Sequence, residues 1–232
     1  MINPSVNIQS RAYMSITLIQ SAALFCREAK LLESEDFNTE IYVRYQSNVI
    51  GAILMSVSFI EAYINETYCD ISDNNSKFSP SISNDKLSLI ENMWNRGIPR
   101  TARYSILEKY EILLELLNVE KFNKGTAPYQ EVKLLISLRN SLVHYEPEWI
   151  ISPVSNNYTE NDIHSFEKKL RGKFTDNPMT GPGNAFYPDK CLGLGCAVWG
   201  LNSSIMFVDE FCGKSGIKPS FDHVRNNLIV DA

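Results

Sequence analysis

The stretch VIGAILMSVSFIEAYI, residues 49 to 64, decides the fold class of this chain. An apolar segment of this kind is either a membrane span or a buried helix. A span needs about 20 predominantly apolar residues. This stretch is shorter than that and contains Glu61. It therefore predicts a buried helix of a soluble protein, within a longer helix that runs from about Thr39 to Ile71.

Helical periodicity continues on both sides of this stretch, and no segment shows the apolar and polar alternation of a strand. A polar loop is expected after the second helix, with Asn84 or Asp85 as the N-cap of the next one. The pattern predicts an all-α helical bundle. The other long helices are expected at Ser10–Leu32, Lys86–Trp94, Ser105–Leu117, from Pro128 to just before Pro147, and Lys190–Cys212.

The composition changes after Pro153. The stretch DIHSFEKKLRGK, residues 162 to 173, is typical of a charged surface helix, and TDNPMTGPGNAFYP, residues 175 to 188, is typical of a loop. We therefore expect a helical bundle over residues 1–150 and a C-terminal extension over residues 151–232, whose long helix packs on the bundle. That helix carries a stripe of small residues, which suits either internal packing or a subunit contact. The stripe comprises Gly193, Ala197, Gly200 and Ser204.

Charge and cysteine content restrict the classes of function. The net charge is -5, so nucleic-acid binding would need a local basic surface. The candidates are Arg96, Arg100 and Arg103, and Lys168, Lys169, Arg171 and Lys173, although a solvated charged face is the commoner origin of such clusters. None of the five cysteines forms a CxxC pair or stands at zinc-ligand spacing from a histidine. The first residues lack the pattern of a signal peptide. We expect buried thiols, no metal or cofactor, and a cytoplasmic protein without a membrane association.

The stretch SLRNSLVHYEPEW, residues 137 to 149, combines helical apolar rhythm with Arg139, Asn140 and His144. On a helical wheel, one stripe faces the core, and Ile136 and Val143 form a second apolar side. The three polar residues border that second side. Two arrangements would satisfy them: they tie down loops within a monomer, or they line a cleft at a subunit contact. The core stripe comprises Leu134, Leu135, Leu138, Leu142 and Tyr145.

An arginine and a histidine at this spacing can act on a phosphodiester. Histidine exchanges a proton near pH 7, and arginine forks onto phosphate oxygens. No metal is needed if the attacking group is the 2′-hydroxyl of RNA. The products would be a 2′,3′-cyclic phosphate and a 5′-hydroxyl, and DNA would be resistant.

The stretch RNSLVH, residues 139 to 144, resembles the R-x(4–6)-H motif of HEPN domains, and SFIEAYINE, residues 58 to 66, resembles the long helix that packs against the motif helix in that family. The resemblance covers about residues 10 to 147. HEPN domains are all-α bundles that commonly dimerise with their motif helices facing each other. Many are metal-independent endoribonucleases that act as toxins or in antiphage defence, and others have lost catalysis.

By this resemblance, Arg139 and His144 would be the catalytic pair and Asn140 would support them. Glu61 would join the site from the preceding helix, although Glu61 and Asn65, on one face, would also suit hydrogen bonding between helices. We therefore expect a ribonuclease whose composite site forms in a homodimer, with RNA as substrate and an antitoxin or defence-system protein as a possible partner. The alternative is a non-catalytic helical dimer that binds a nucleotide or a protein.

Overall fold

The structure, a computed structural model, describes residues 10–73 and 82–230. These residues form seven α-helices, short 3-10 helices at Glu160–Asp162 and Asp222–Leu228, and a short π-helical turn at Phe186–Lys190, with no strand among them. The predicted all-α class is confirmed. The polar loop expected after the second helix lies mostly outside the described residues. The helices are α1 (Ser15–Leu32), α2 (Thr39–Ser72), α3 (Asn84–Asn95), α4 (Ile106–Leu117), α5 (Tyr129–Val143), α6 (Ser165–Leu170) and α7 (Leu194–Ser215).

Local sequence signals set several helix ends. Asn38 caps α2, and its Oδ1 accepts a hydrogen bond from the backbone N–H of Ile41 at 2.9 Å. Ser105 and Glu108 form a reciprocal capping box at the start of α4. The N-cap of α3 is Ser83, one residue before the predicted Asn84. Gly216 ends α7 with φ +73°, a left-handed conformation that costs a glycine little.

Helix α2 is the central helix of the bundle. Its 34 residues extend about 50 Å, and α1, α3, α4, α5 and α7 all pack against it. Among the described helices, α2 alone is also long and apolar enough, by composition, to cross a bilayer. Half of its most apolar window is buried inside the protein.

Contacts at both ends fix the direction of α7. The phenol oxygen of Tyr45 accepts a hydrogen bond from the backbone N–H of Leu194 at 2.7 Å, and Tyr63 Oη lies 3.1 Å from Cys212 Sγ. Helix α7 therefore runs parallel to α2.

Helix α5 runs the other way. An added Cβ at Gly200 would lie 3.0 Å from Cδ1 of Leu135, and the rings of Tyr129 and Phe207 lie 6.3 Å apart. Residue numbers thus rise along α5 as they fall along α7. The two helices are antiparallel, so the C-terminal end of α5 lies beside the N-terminal end of α7.

Residues after position 150 share one core with the earlier helices. The Tyr110 ring is fully buried and meets Phe207 and Phe211 edge-on, with centroids 4.9 and 4.8 Å away, while its hydroxyl donates to the carbonyl oxygen of Ile60 at 2.7 Å. The long helix of the predicted extension thus packs on the bundle. Its small residues serve internal packing, since Gly200 admits Leu135.

Candidate active site at the end of α5

The buried face of α5 agrees with the predicted stripe in its middle and departs from it at its end. Leu135 and Leu138 are fully buried, and Ile136 also packs against the core, so it does not belong to a free second side. Tyr145 is 48% exposed instead of buried. The helix stops at Val143, four residues before Pro147, whose ring would clash with the Val143 carbonyl group if the helix continued, and Tyr145 therefore lies outside the helix.

Arg139 has an unusual environment for an arginine. The residue is partly buried, and its Nε is buried without a hydrogen-bond partner. Across residues 10–73 and 82–230, no carboxylate pairs with its guanidinium. An unpaired buried donor costs about 1–3 kcal/mol, and more when the group is charged. The Nε of Arg139 is therefore an unpaired buried donor at the end of α5.

Asn140 and His144 lie on the exposed side of the same helix end. His144 is the C-cap residue, and its backbone N–H donates to the carbonyl oxygen of Asn140 at 2.9 Å. Neither side chain is hydrogen-bonded or ion-paired to any residue that the structure describes. Both side chains are thus open to contact with a ligand or a second chain.

The structure separates Glu61 from this group. The contacts along α2, α5 and α7 place Arg139 level with about Ser47, so Glu61 stands roughly 20 Å further along α2. There its Oε1 lies 3.4 Å from Nζ of Lys109, which also donates to Oδ1 of Asn65 at 3.1 Å. The acidic residue therefore takes part in helix-to-helix pairing, beyond the reach of Arg139 in the same chain.

An exposed apolar surface adjoins the motif. A typical monomer keeps its large apolar groups from gathering in one exposed patch, and such patches mark interaction sites. Here six exposed apolar side chains follow one another along the chain, beginning at the last residue of α5. We call this set the apolar run. It comprises Val143 (52% exposed), Tyr145 (48%), Trp149 (104%), Ile150 (43%), Ile151 (41%) and Val154 (65%).

The second predicted basic cluster lies on the same side of the molecule as the motif. Phe166 of α6 packs on Tyr187 at 5.0 Å, and the Tyr187 hydroxyl donates to Ser141 Oγ of α5 at 3.1 Å. Lys168 and Lys169 are exposed on α6. Two other members of that cluster are paired instead, Arg171 with Glu167 and Lys173 with Glu131. The first cluster is exposed as well, and Arg100 lies over the Trp94 ring at 5.6 Å.

Two residues near the motif escaped the sequence analysis. Trp149 is fully exposed. His164 lies with Nε2 3.1 Å from Oε1 of Glu148 and stacks on Tyr187. Both line a cleft beside the end of α5. Its walls come from segments that are far apart in sequence, so no local spacing indicates them.

In the part of the chain that the structure describes, no three His, Cys, Asp or Glu side chains are arranged to hold a metal ion. Comparison of the chain with known family models, with curated proteins and with solved structures finds no match. The resemblance to HEPN domains therefore depends on the residues quoted above.

Proposed function

We propose that this protein is a metal-independent endoribonuclease of the toxin or antiphage-defence type, with an active site formed at a homodimer interface by Arg139 and His144 of both chains. The observation that carries the proposal is the Arg139 guanidinium, partly buried with no carboxylate partner in the described chain, at a helix end that also presents an unpaired histidine. Phosphate is an anion that fits this donor geometry.

The chemistry follows from the two side chains. One His144 takes the proton of the ribose 2′-hydroxyl, and the 2′-oxygen forms a bond to phosphorus while the bond from phosphorus to the 5′-oxygen breaks. A proton must reach the departing 5′-oxygen from the opposite side of the phosphorus. A two-fold axis supplies a second His144 for this step, and Arg139 stabilises the extra negative charge on the phosphate oxygens.

The apolar run supports a dimer at this place. A two-fold contact through Val143 and Tyr145 would cover exposed apolar surface and bring the two motif copies together, and it would leave Trp149 open to solvent. The partner surface would also exclude water from the phosphate, which strengthens the charge interactions of Arg139. Asn140, exposed on the last turn of α5, would hydrogen-bond to the RNA or to the second chain.

The test is cleavage of labelled RNA by the purified protein, with and without EDTA. We expect cleavage in EDTA, products that end in a 2′,3′-cyclic phosphate and a 5′-hydroxyl, and no cleavage of a substrate with a 2′-deoxyribose at the scissile position. Loss of activity in EDTA with recovery in magnesium would contradict the metal-independent mechanism. A stable dimer that cleaves no RNA from any source would favour the non-catalytic alternative.

A further inference from the structure

A cleft of about 360 Å³ opens next to the motif, and nothing in the proposed reaction uses it. Its wall begins at Glu148, four residues after His144, and continues through Trp149 to α6 and the turn at Phe186–Lys190. The Tyr187 hydroxyl ties the far wall to Ser141 of α5. Burial, the largest cause, raises the pKa of Tyr187, so it remains a phenol and keeps donating this bond. The cleft is therefore held against the end of α5.

Aromatic side chains line the cleft, and the ring face of one of them is open to solvent. The His164 ring stacks on Tyr187 with centroids 4.6 Å apart and planes 13° apart. Its Nδ1 accepts the backbone N–H of Phe166 at 3.1 Å, so the ring hydrogen is on Nε2, facing Glu148. This histidine is thereby fixed as a wall of the cleft. Trp149 is the fully exposed aromatic of the set, and an indole in water is a stacking surface for a planar ligand.

The polar groups of the cleft differ in whether their hydrogen-bonding atoms already have partners within the chain. Asp162 accepts hydrogen bonds from both Thr159 N and Oγ1 at 2.7 Å, and Glu167 is paired with Arg171. Glu148 uses only Oε1, towards His164, and its Oε2 has no partner among the described residues. A half-exposed carboxylate with a free oxygen is an acceptor for a ligand that presents N–H groups.

Cations stand at the rim of the same cleft. The Arg171 side chain is 63% exposed, and Lys190 reaches the carbonyl oxygen of Pro182 at 3.3 Å, a weak contact that leaves other ammonium hydrogens free. A planar stacking surface, a carboxylate acceptor and rim cations together match a nucleotide. Guanine matches best, because its N1–H and exocyclic amino group can both donate to one carboxylate, whereas uracil offers one donor between two acceptors.

We infer that this cleft binds a guanine base of single-stranded RNA next to the scissile phosphate, stacked on Trp149 and hydrogen-bonded to Glu148. The inference deepens the proposed function and rests on it for the identity of the polymer. It assigns base preference to residues outside the RNSLVH motif, so that Arg139 and His144 act on the phosphate and the cleft selects the nucleotide beside it.

The probe is radiolabelled guanosine 5′-monophosphate, measured by equilibrium dialysis on the full-length chain carrying His144→Ala, so that no cleavage is involved. We expect binding at least about tenfold tighter than that of uridine 5′-monophosphate, because a charged hydrogen-bond acceptor is left unpaired by the wrong base. Trp149→Ala should weaken binding about five- to 100-fold, while Trp149→Phe, which keeps a ring, should retain most of it. Glu148→Gln should remove the preference for guanine.

Lys218→Ala is the matched control, because it removes an exposed charge outside the cleft lining and outside both basic clusters, and it should leave binding unchanged. Absence of guanosine monophosphate binding, or binding that Trp149→Ala leaves unaltered, overturns the inference. Failure of the two proposals is distinguishable. RNA cleavage by the parent without nucleotide binding rejects the cleft alone, and nucleotide binding without any RNA cleavage rejects the nuclease alone.

Discussion

The ammonium nitrogen of Lys109 lies 3.4 Å from Oε1 of Glu61, although the lysine side chain is 3% exposed and the glutamate side chain 44% exposed. A buried ammonium needs hydrogen-bond and charge partners, and α2 supplies both through Asn65 and Glu61. Glu61 is therefore explained by the packing of α4 on α2.

Glu61→Gln should leave RNA cleavage within about twofold of the parent and lower stability. The loss should be about 1–3 kcal/mol, because Lys109 keeps Asn65 but loses its counter-charge. Thermal melts and cleavage rates on the same preparations check this. An inactive variant with the parent's melting temperature would instead place Glu61 in the active site.

His144→Ala should abolish cleavage without loss of stability. The side chain is exposed and unpaired in the described chain, so the change in stability should stay within about 0.5 kcal/mol, while loss of an acid–base group costs about 10²–10⁴ in rate. Arg139→Ala should lose activity to a similar degree. His223→Ala, also exposed, is the control and should cleave like the parent. If His144→Ala melts well below the parent and the parent never cleaves RNA, the motif is a structural tie.

The protein should be a dimer through Val143 and Tyr145, at the α5 end of the apolar run. Light scattering should give about twice the 26.4 kDa chain mass. Val143→Glu should reduce the mass to that of one chain and abolish cleavage, because a charge would be buried in the contact. Leu31→Glu, which alters an exposed leucine on α1, should remain dimeric and active. A monomeric parent that cleaves RNA would exclude the composite site.

One thiol per chain should react with a water-soluble disulfide reagent in the native state, and all five should react in denaturant. Cys26, Cys191, Cys196 and Cys212 are buried, and burial raises the pKa of Cys26 and of Cys212 to about 12 and those of the other two further. Only thiolates react, so these four are protected. Cys69, which is half-buried, is the expected reactive thiol, and Cys69→Ser should remove the native reaction. Rapid reaction of several native thiols would show that the core opens readily.

Asp70→Asn should stabilise the protein at neutral pH. Burial, the largest cause, raises the pKa of Asp70, with Glu66 and Asp73 adding to the rise and the hydrogen bond from Tyr13 opposing it. Since the folded pKa is above the unfolded value, ionisation costs stability once the pH exceeds the unfolded pKa of about 3.9. The asparagine keeps an acceptor for Tyr13 and avoids that cost.

The gain in melting temperature should be roughly 1–4 °C at pH 7 and should vanish as the pH falls towards 3, where the parent carboxyl is protonated. Thermal melts at several pH values check the sign. Asp36→Asn, which alters an exposed carboxylate, should give no such gain. An Asp70→Asn variant less stable than the parent at pH 7 would mean that the Tyr13 bond outweighs desolvation.

The sequence was sufficient to predict the helices, because the apolar periodicity that indicates a helix is local. It also predicted that Asn140 and His144 lie one turn apart at the end of α5, where the backbone N–H of His144 donates to the carbonyl oxygen of Asn140. It misplaced Tyr145, because the wheel assumed that α5 continued towards Pro147. The full exposure of Trp149 could not be predicted, since an apolar side chain does not reveal whether the chain itself covers it.

Sequence patterns could not predict contacts between segments that are far apart in the chain. His164 contacts Glu148 because the loop between them folds back, and no residue spacing in the sequence predicts that contact. Glu61 lies on the expected helix, yet only the register of α2 against α7 shows how far it stands from Arg139. Direction and register come from tertiary packing, which periodicity leaves undetermined.

The parallel packing of α7 on α2 also determines when the core of the protein can form during its synthesis. The pairs Tyr45–Leu194 and Tyr63–Cys212 each join residues 149 positions apart, so the side of α2 that faces α7 has no partner until those later residues have been made. At about 5–20 residues per second, this interval lasts roughly 7–30 s. During that time the nascent protein exposes one apolar side of α2, which is the kind of surface that ribosome-associated chaperones cover. The proposed active site also lacks the support of α7 behind α5 in this interval, so the proposed ribonuclease would remain inactive until α7 has been made.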